Sequence, residues 1–339
     1  MGTEEILSPF FLGRHTPPMK LPLNRRQVIL AGAASALAPA VPAQPGPEVE
    51  LWPGGAPGVE RVTVREEIIE RLPDGPMRDR FAQHVTRPLL TWYPPRAAFN
   101  GITLLIVPGG GYVRVVIDKE GVEAADWFTE RGFAAAVLRY RLPADGWADG
   151  ADAPVHDAMR ALRLLRARHL KDGGAPSRIG VIGFSAGGHL CARLVTEPGI
   201  AYPRRDAADD LSARPEFAVL MYPVIATTGP YAHAGSAQQL LAAGRSSKGG
   251  AVDLSRLSPH LNVGSQTPAT MLVHAADDAS VPVENSLLMY DALRKARVRS
   301  ELHLFDVGGH GFGLRSVAGK DVAVWPTLVQ NWATHLATP

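Results

Sequence analysis

A serine between glycines stands where one predicted strand ends and a predicted helix begins. Residues 183–187 read Gly-Phe-Ser-Ala-Gly, which fits the pattern G-x-S-x-G, and they overlap the end of an apolar run at 179–183. In this setting the serine occupies a strained turn where larger neighbours would clash, so the glycines let its hydroxyl stand clear of the backbone. The sequence therefore predicts that Ser185 is a nucleophile.

A serine hydroxyl is a weak nucleophile at neutral pH and needs an adjacent base, which a carboxylate in turn orients. When a serine is presented on such a turn, the acid and then the histidine follow it along the chain. Of the 11 histidines, only His310 lies in a glycine-rich loop after the last predicted strand. His310 is therefore the predicted base.

The acid is expected after the apolar run at 269–274, and two adjacent aspartates follow that run. Side-chain direction in a loop cannot be read from the pattern, so the residues alone leave Asp277 and Asp278 both open. The aspartate that is not the acid is expected to act as a cap or turn residue for the helix that begins near Pro282.

A second glycine-rich loop is expected to stabilise negative charge. Residues 108–112 read Pro-Gly-Gly-Gly-Tyr directly after the apolar run at 102–107. Backbone N–H groups in such a loop, together with the N–H group after the nucleophile, can bind the oxyanion that forms on an attacked carbonyl. Gly110, Gly111 and Ala186 are the predicted donors.

These residues are expected to be positioned by a regular alternation of strands and helices. Eight apolar runs predict strands, at 61–69, 89–93, 102–107, 134–139, 179–183, 218–222, 269–274 and 301–305. Helical periodicity predicts helices at 121–131, 154–169, 186–196, 283–296 and 325–336. This succession indicates an α/β fold with a mainly parallel eight-stranded sheet and helices on both faces. The interval 225–268 lacks a clear strand, which predicts a small lid-like insertion at about 226–266.

The N-terminal segment is expected to direct export. Residues 24–43 carry paired arginines, a mildly apolar stretch and a small-residue end, as in a twin-arginine signal cleaved near Ala43. The apolar stretch is too short for a stable membrane anchor, so the protein is expected in the periplasm or outside the cell after passing the twin-arginine machinery. A disordered Pro/Ala-rich tail that merely contains Arg-Arg is the alternative.

The predicted domain boundaries follow from this segment. Residues 1–43 form the leader, 44–57 a Pro-rich linker, and 58–339 a single domain. Met19-Lys20 stands where a basic leader would begin, so residues 1–18 are either translated or lie upstream of the true start.

Composition excludes several classes of function. The 35 basic residues give a formal net charge of only +2 and are scattered along the chain, so nothing supports nucleic-acid binding. The one cysteine, Cys191, has no partner at metal-ligand spacing and is expected to be a buried core residue. The predicted chemistry needs no metal and no organic cofactor.

These motifs resemble the branch of the α/β-hydrolase fold that contains acetyl xylan esterases and related carbohydrate acetylesterases. The resemblance runs from about residue 52 to residue 332, and its marks lie at 108–112, 120–121, 140–143, 179–190, 278–286 and 308–313. In similar sequences the triad acid stands three residues before a Val-Pro pair, which selects Asp278 ahead of Val281-Pro282. The resemblance implies a serine esterase that removes short acyl groups, most of all acetate, from acetylated xylan or oligosaccharides.

Two aromatic residues are candidates for the substrate pocket. Tyr112, beside the oxyanion loop, could wall a small acyl pocket, and Trp147, in a Gly/Asp-rich loop, could stack on a sugar ring. Ordinary packing is the alternative for each.

Other functions fit the same motifs. A carboxylesterase or lactonase for a non-sugar ester shares every residue named above, because fold does not fix substrate. A peptidase of the prolyl-oligopeptidase type shares the catalytic layout, but such enzymes usually add a large propeller domain for which 339 residues leave no room. A catalytically silent carbohydrate-binding protein would not need candidates at all three triad positions.

Overall fold

The structure, a computed structural model, describes residues 45–171, 178–199, 201–247 and 249–337. The predicted export leader lies outside these residues. In the part of the chain that is described, no helix is both long and apolar enough to cross a lipid bilayer.

Eleven strands are present among the described residues, and eight of them form one sheet. In chain order the strands are Glu48–Glu50 (β1), Glu67–Glu70 (β2), Arg80–Gln83 (β3), Leu89–Tyr93 (β4), Ile102–Val107 (β5), Val115–Val116 (β6), Ala134–Arg139 (β7), Arg178–Phe184 (β8), Phe217–Met221 (β9), Ala269–Ala275 (β10) and Ser300–Phe305 (β11). The large sheet has the order β1-β4-β7-β5-β8-β9-β10-β11. From β7 to β11 every pairing is parallel, while β1 and β4 pair antiparallel with their neighbours. The predicted mainly parallel eight-stranded sheet is confirmed.

Helices cover both faces of this sheet. In chain order they are Glu123–Thr129 (α1), Ala153–Lys171 (α2), Ala186–Thr196 (α3), Ala234–Ala242 (α4), Glu284–Lys295 (α5) and Trp325–Ala337 (α6). Successive residues of β5 belong to opposite sides: Leu105 packs in one apolar core with α2, α3 and α5, whereas Leu104 packs in a second core with α1 and α6. Side chains alternate between the faces of a strand, so an apolar run without interruption, as in β5, is a strand buried from both sides.

The eighth strand of the sheet is not the one predicted. The run at 61–69 yields only β2, which lies in a separate antiparallel sheet with β3 and β6. Its first part carries Arg61, Arg65 and Glu66, and charged side chains of this kind stay at the surface rather than enter a two-sided core.

The place at the edge of the large sheet is taken by β1, in the segment predicted as a linker. Leu51 and Trp52, which follow β1, are 0% and 4% exposed, and the indole Nε1 of Trp52 donates to Asp157 Oδ1 at 2.6 Å. These residues belong to the core, so the folded domain reaches back to at least Gly46, whose N–H donates to the carbonyl of Trp92. The boundary predicted at residue 58 is too late.

The interval predicted as an insertion contains helix α4 and two short 3-10 turns, at Leu254–Leu257 and Pro259–Leu261, and no strand among its described residues. Asn285 of α5 holds the start of this interval by hydrogen bonds. Its Oδ1 accepts from the N–H groups of Ile225 and Ala226, and its Nδ2 donates to the carbonyl of Tyr231. Whether the interval acts as a lid remains a prediction.

Candidate active site

Ser185 lies in the turn between β8 and α3, with φ +51° and ψ −115°. A Cβ atom on Gly183 would lie 2.4 Å from the carbonyl oxygen of Gly187, and one on Gly187 would lie 2.2 Å from the carbonyl oxygen of Val107. Such distances exclude any larger residue at either position unless the backbone moves. The steric reason for the G-x-S-x-G pattern is therefore present in this turn, and it places Ser185 at the carboxyl end of the sheet.

The structure brings the three predicted triad residues together. Ser185 Oγ lies 2.8 Å from His310 Nε2, and His310 Nδ1 lies 2.7 Å from Asp278 Oδ2. The residues come from loops after β8, β10 and β11, three parallel strands whose carboxyl ends meet at one edge of the sheet. A carboxylate at Nδ1 keeps the hydrogen on that nitrogen, so Nε2 is left to take the serine proton.

The choice between the adjacent aspartates is also resolved by geometry. Asp278 contacts His310, whereas Oδ1 of Asp277 accepts from the N–H groups of Gly308 and Gly309 at 2.8 and 2.7 Å. Asp277 therefore does not cap α5, which was one of the two roles predicted for the second aspartate, but lies in the turn that follows β10. It instead holds the loop that carries His310, because its carboxylate reaches across from the end of β10 to the end of β11.

The predicted oxyanion loop runs beside the nucleophile. A Cβ atom on Gly109 would lie 2.9 Å from Ser185 Cβ, which shows how closely the loop backbone passes. Gly110 and Gly111 follow, both with positive φ and both partly exposed. Within the described residues, the N–H groups of Gly110, Gly111 and Ala186 donate to no protein acceptor, so all three predicted donors remain available to a ligand.

Glu120, which the sequence marked only as part of the family resemblance, has a place in the site. Its carboxylate is buried, accepts from the N–H of Gly109 at 2.8 Å and accepts from the hydroxyl of Tyr222 at 2.9 Å. The ring of Tyr222 packs edge-on against His310 with centroids 5.2 Å apart. Burial, and then the nearby Glu120, raise the pKa of Tyr222 well above its usual value, so the phenol stays protonated and donates. One carboxylate thus supports both the oxyanion loop and the ring that packs on the histidine.

The two predicted pocket residues are buried in the core. Tyr112 is 1% exposed, and its hydroxyl lies 2.7 Å from Nδ1 of His189. Trp147 is also 1% exposed, and the guanidinium carbon of Arg141 lies 4.9 Å from its ring centroid. Burying large aromatic rings is strongly favourable, and both rings are part of the core. The prediction that they contact an acyl group or a sugar is wrong for this structure.

The fold and this arrangement of residues define a class of protein. A mainly parallel sheet covered on both faces, with a serine on a strand-to-helix turn, an acid after a later strand and a histidine after the last strand, is the architecture of the α/β-hydrolases. The chain belongs to the BD-FAE family of α/β-hydrolase esterases, whose family model matches residues 91–293.

Known proteins similar to this chain include enzymes of xylan breakdown. It is 34% identical, over 88% of its own length and 99% of the other chain, to a solved acetyl ester-xyloside bifunctional hydrolase from Caldicellulosiruptor lactoaceticus, with a TM-score of 0.68. It is 32% identical over 248 residues to an acetylxylan esterase from Xylanibacter ruminicola, and 34% identical over 208 residues to endo-1,4-beta-xylanase B from Butyrivibrio fibrisolvens. These matches cover 71% and 61% of this chain, but only 47% and 32% of those two longer relatives.

Proposed function

We propose that this protein is a serine esterase that removes acetyl groups from carbohydrate, with xylan or its oligosaccharides as the substrate class. The observation that carries the proposal is the continuous hydrogen-bonded series from Ser185 through His310 to Asp278 beside a loop of free backbone N–H groups. The similarity to an acetylxylan esterase and to an acetyl ester-xyloside hydrolase supports the choice of acetylated sugar.

The proposed reaction begins with nucleophilic attack. His310 Nε2 accepts the hydroxyl proton as Ser185 Oγ bonds to the ester carbonyl carbon, and the carbonyl oxygen becomes an anion. The N–H groups of Gly110, Gly111 and Ala186 are the proposed donors to that anion. The tetrahedral intermediate then collapses: the bond to the sugar oxygen breaks, and His310 returns the proton to it as the alcohol leaves.

Water completes the cycle by the same kind of attack, with water as the nucleophile and Ser185 Oγ as the leaving group. His310 takes a proton from water as the water oxygen attacks the acetyl carbonyl bound to Ser185, and it returns the proton to Ser185 Oγ as acetate leaves. Asp278 stays ionised throughout. Burial alone would raise its pKa, but hydrogen bonds from His274, His310 and the N–H of Val281 hold it well below its usual range.

Acetate release from acetylated xylo-oligosaccharides tests this function. We expect turnover by the native protein and a loss in kcat of at least about 10⁴-fold in Ser185→Ala and in His310→Ala. Ser280→Ala is a matched control that should keep activity. Ser280 lies on the same loop as Asp278 but contacts it only through its backbone N–H. Full activity of Ser185→Ala would refute the proposal.

The substrate class needs a separate comparison, because a carboxylesterase for a non-sugar ester would use the same triad. We expect kcat/KM for acetylated xylo-oligosaccharides to exceed that for p-nitrophenyl butyrate and for simple lactones. The opposite ranking would leave the serine esterase mechanism in place but contradict acetylated carbohydrate as the substrate class.

We also propose export by the twin-arginine route, on the basis of the paired arginines, the apolar stretch and the small-residue end within residues 24–43. Replacing Arg25 and Arg26 by lysine should leave the full-length protein in the cytoplasm of a bacterial host, while the native sequence should give a shortened protein in the periplasm or medium. Equal export of both would exclude this route.

A further inference from the structure

A second histidine contacts the triad acid. His274, in β10, is fully buried, and its Nε2 lies 3.1 Å from Asp278 Oδ2. This is the same oxygen that lies 2.7 Å from His310 Nδ1. Two imidazole rings therefore share one carboxylate oxygen.

A further contact fixes which nitrogen of His274 carries a hydrogen. Nε2 also lies 3.1 Å from the carbonyl oxygen of Val281. A carbonyl oxygen can only accept, so Nε2 must be a donor. The other ring nitrogen, Nδ1, lies 2.8 Å from the hydroxyl of Ser286, a fully buried residue of α5. The ring is held at both nitrogens and donates to the acid from a fixed position.

With this donor, the carboxylate of Asp278 has no acceptor site left. Oδ1 accepts from the N–H groups of Ser280 and Val281 at 2.9 and 2.8 Å, and Oδ2 accepts from the two rings. A carboxylate offers about four lone-pair sites, and all of them are used. Nothing in the catalytic cycle requires His274 to contact substrate, so its effect must pass through Asp278.

We propose that His274 is a positioning residue of the triad, which fixes the plane of the Asp278 carboxylate and draws part of its charge away from His310. This inference rests on the proposed esterase function. Without the donor at Nε2, Oδ2 would interact with His310 alone. The proton taken up by His310 would then be held more tightly, and the carboxylate would be free to turn out of line.

Other titratable groups lie around the same loops and must stay constant in any test by pH. They are Tyr222, whose ring packs on the triad histidine; Glu120, which accepts from Tyr222; Asp277, whose pKa is lowered first by the N–H groups of the histidine loop; Lys320, whose positive charge lowers that pKa further; and His233 at the start of α4. Burial lowers the pKa of His233, and the triad histidine lowers it further while the triad acid raises it. None of these side chains hydrogen-bonds to His274, so replacing His274 leaves their contacts in place.

Three variants of His274 separate donation from packing. His274→Gln keeps an amide donor at nearly the reach of Nε2, His274→Asn is polar but too short to reach Oδ2, and His274→Leu fills the space without a donor. For each variant the pH profile of kcat/KM is measured on p-nitrophenyl acetate, with active sites counted by a fluorophosphonate probe. The low-field proton signal of the hydrogen bond between His310 and Asp278 is recorded by NMR.

We expect the acidic limb of kcat/KM to move to higher pH by about 0.5–1 unit in the Asn and Leu variants, with a fall of about tenfold at the plateau. The Gln variant should keep the native limb, and the NMR signal should move only in the other two. The proposal would be overturned if both the Asn and the Leu variants kept the native pH profile of kcat/KM, calculated per active site counted by the probe, and lost only thermal stability. His274 would then be a packing residue. If Leu does not fold, the comparison of Asn with Gln decides in the same way.

Failure of the esterase function itself would look different. The native protein would then turn over no ester, whereas the NMR signal needs no substrate and would still report whether His274 donates to Asp278.

Discussion

At the scale of single residues, the site depends on groups that never meet substrate. Glu120 accepts hydrogen bonds from the loop N–H of Gly109 and from the hydroxyl of Tyr222. Removing a buried acceptor leaves its donors unpaired, which costs about 1–3 kcal/mol for each donor. The loop that carries the proposed oxyanion donors is therefore expected to depend on this carboxylate.

Replacing Glu120 tests that dependence. Glu120→Leu should lower kcat for p-nitrophenyl acetate by about 10- to 100-fold with little change in KM, because the oxyanion loop loses its support. Tyr222→Phe is the matched variant: it keeps the bond from Gly109 to Glu120 and should lose much less. Steady-state kinetics of both variants give the comparison, and a native kcat in Glu120→Leu would contradict this role.

Sequence alone could predict the residues that do chemistry better than those that support them. Ser185 and His310 stand out because glycines surround them outside regular elements. His274 lies within an apolar strand, where a histidine in sequence has the same pattern as an ordinary core residue. Trp147 misleads in the opposite sense, since the glycines and aspartates around it suggest an exposed loop while the ring itself is buried.

At the scale of elements, the strands of the large sheet were predictable from the sequence, except β1 at one edge. The apolar runs of β5 and β7 coincide with the strands observed. β1 has only three residues, Glu-Val-Glu, and it is a strand because it pairs antiparallel with β4. No local pattern carries that information, because the partner is some 40 residues away in the chain.

The position of β1 predicts where the domain can be shortened. A chain that starts at residue 58 loses β1, Leu51 and Trp52, and each buried large apolar side chain contributes roughly 1.5–3 kcal/mol. It also leaves Asp157 without the indole donor of Trp52. We expect this chain to unfold at a clearly lower urea concentration than one that starts at residue 45. Equal urea midpoints for the two chains would show that residues 45–57 add nothing to stability and behave as a linker.

At the scale of the whole molecule, buried ion pairs connect helices to neighbouring segments of the chain. Asp152 bonds to Arg193 of α3 at 2.7 Å, and both side chains are nearly inaccessible. Burial would raise the pKa of Asp152, but Arg193 and Ser247 outweigh it and lower the pKa. Asp118 follows the same rule, with Arg80 as the partner that lowers its pKa against burial.

These shifts give the sign of the acid dependence. A carboxylate whose pKa is lower in the folded protein stabilises it at pH values above the unfolded pKa of about 3.9, and that contribution is lost as pH falls. Urea unfolding measured between about pH 7 and pH 3 should therefore show a falling free energy of unfolding at the acid end. Asp152→Asn should flatten the fall, whereas Asp210→Asn should not, because the pair of Asp210 with Arg204 lies in solvent and is screened. An unchanged slope in Asp152→Asn would contradict the assignment.

The central claim for the molecule is that its fold brings Ser185, His310 and Asp278 together to form and release an acyl-enzyme. Rapid quenching during turnover of p-nitrophenyl acetate, followed by peptide mass analysis, tests this most directly. We predict an initial burst of nitrophenol and an acetyl group on the hydroxyl of Ser185, absent from Asp278→Asn at the same times. An acetyl group carried by another residue, or steady turnover with Ser185 never modified, would contradict the account.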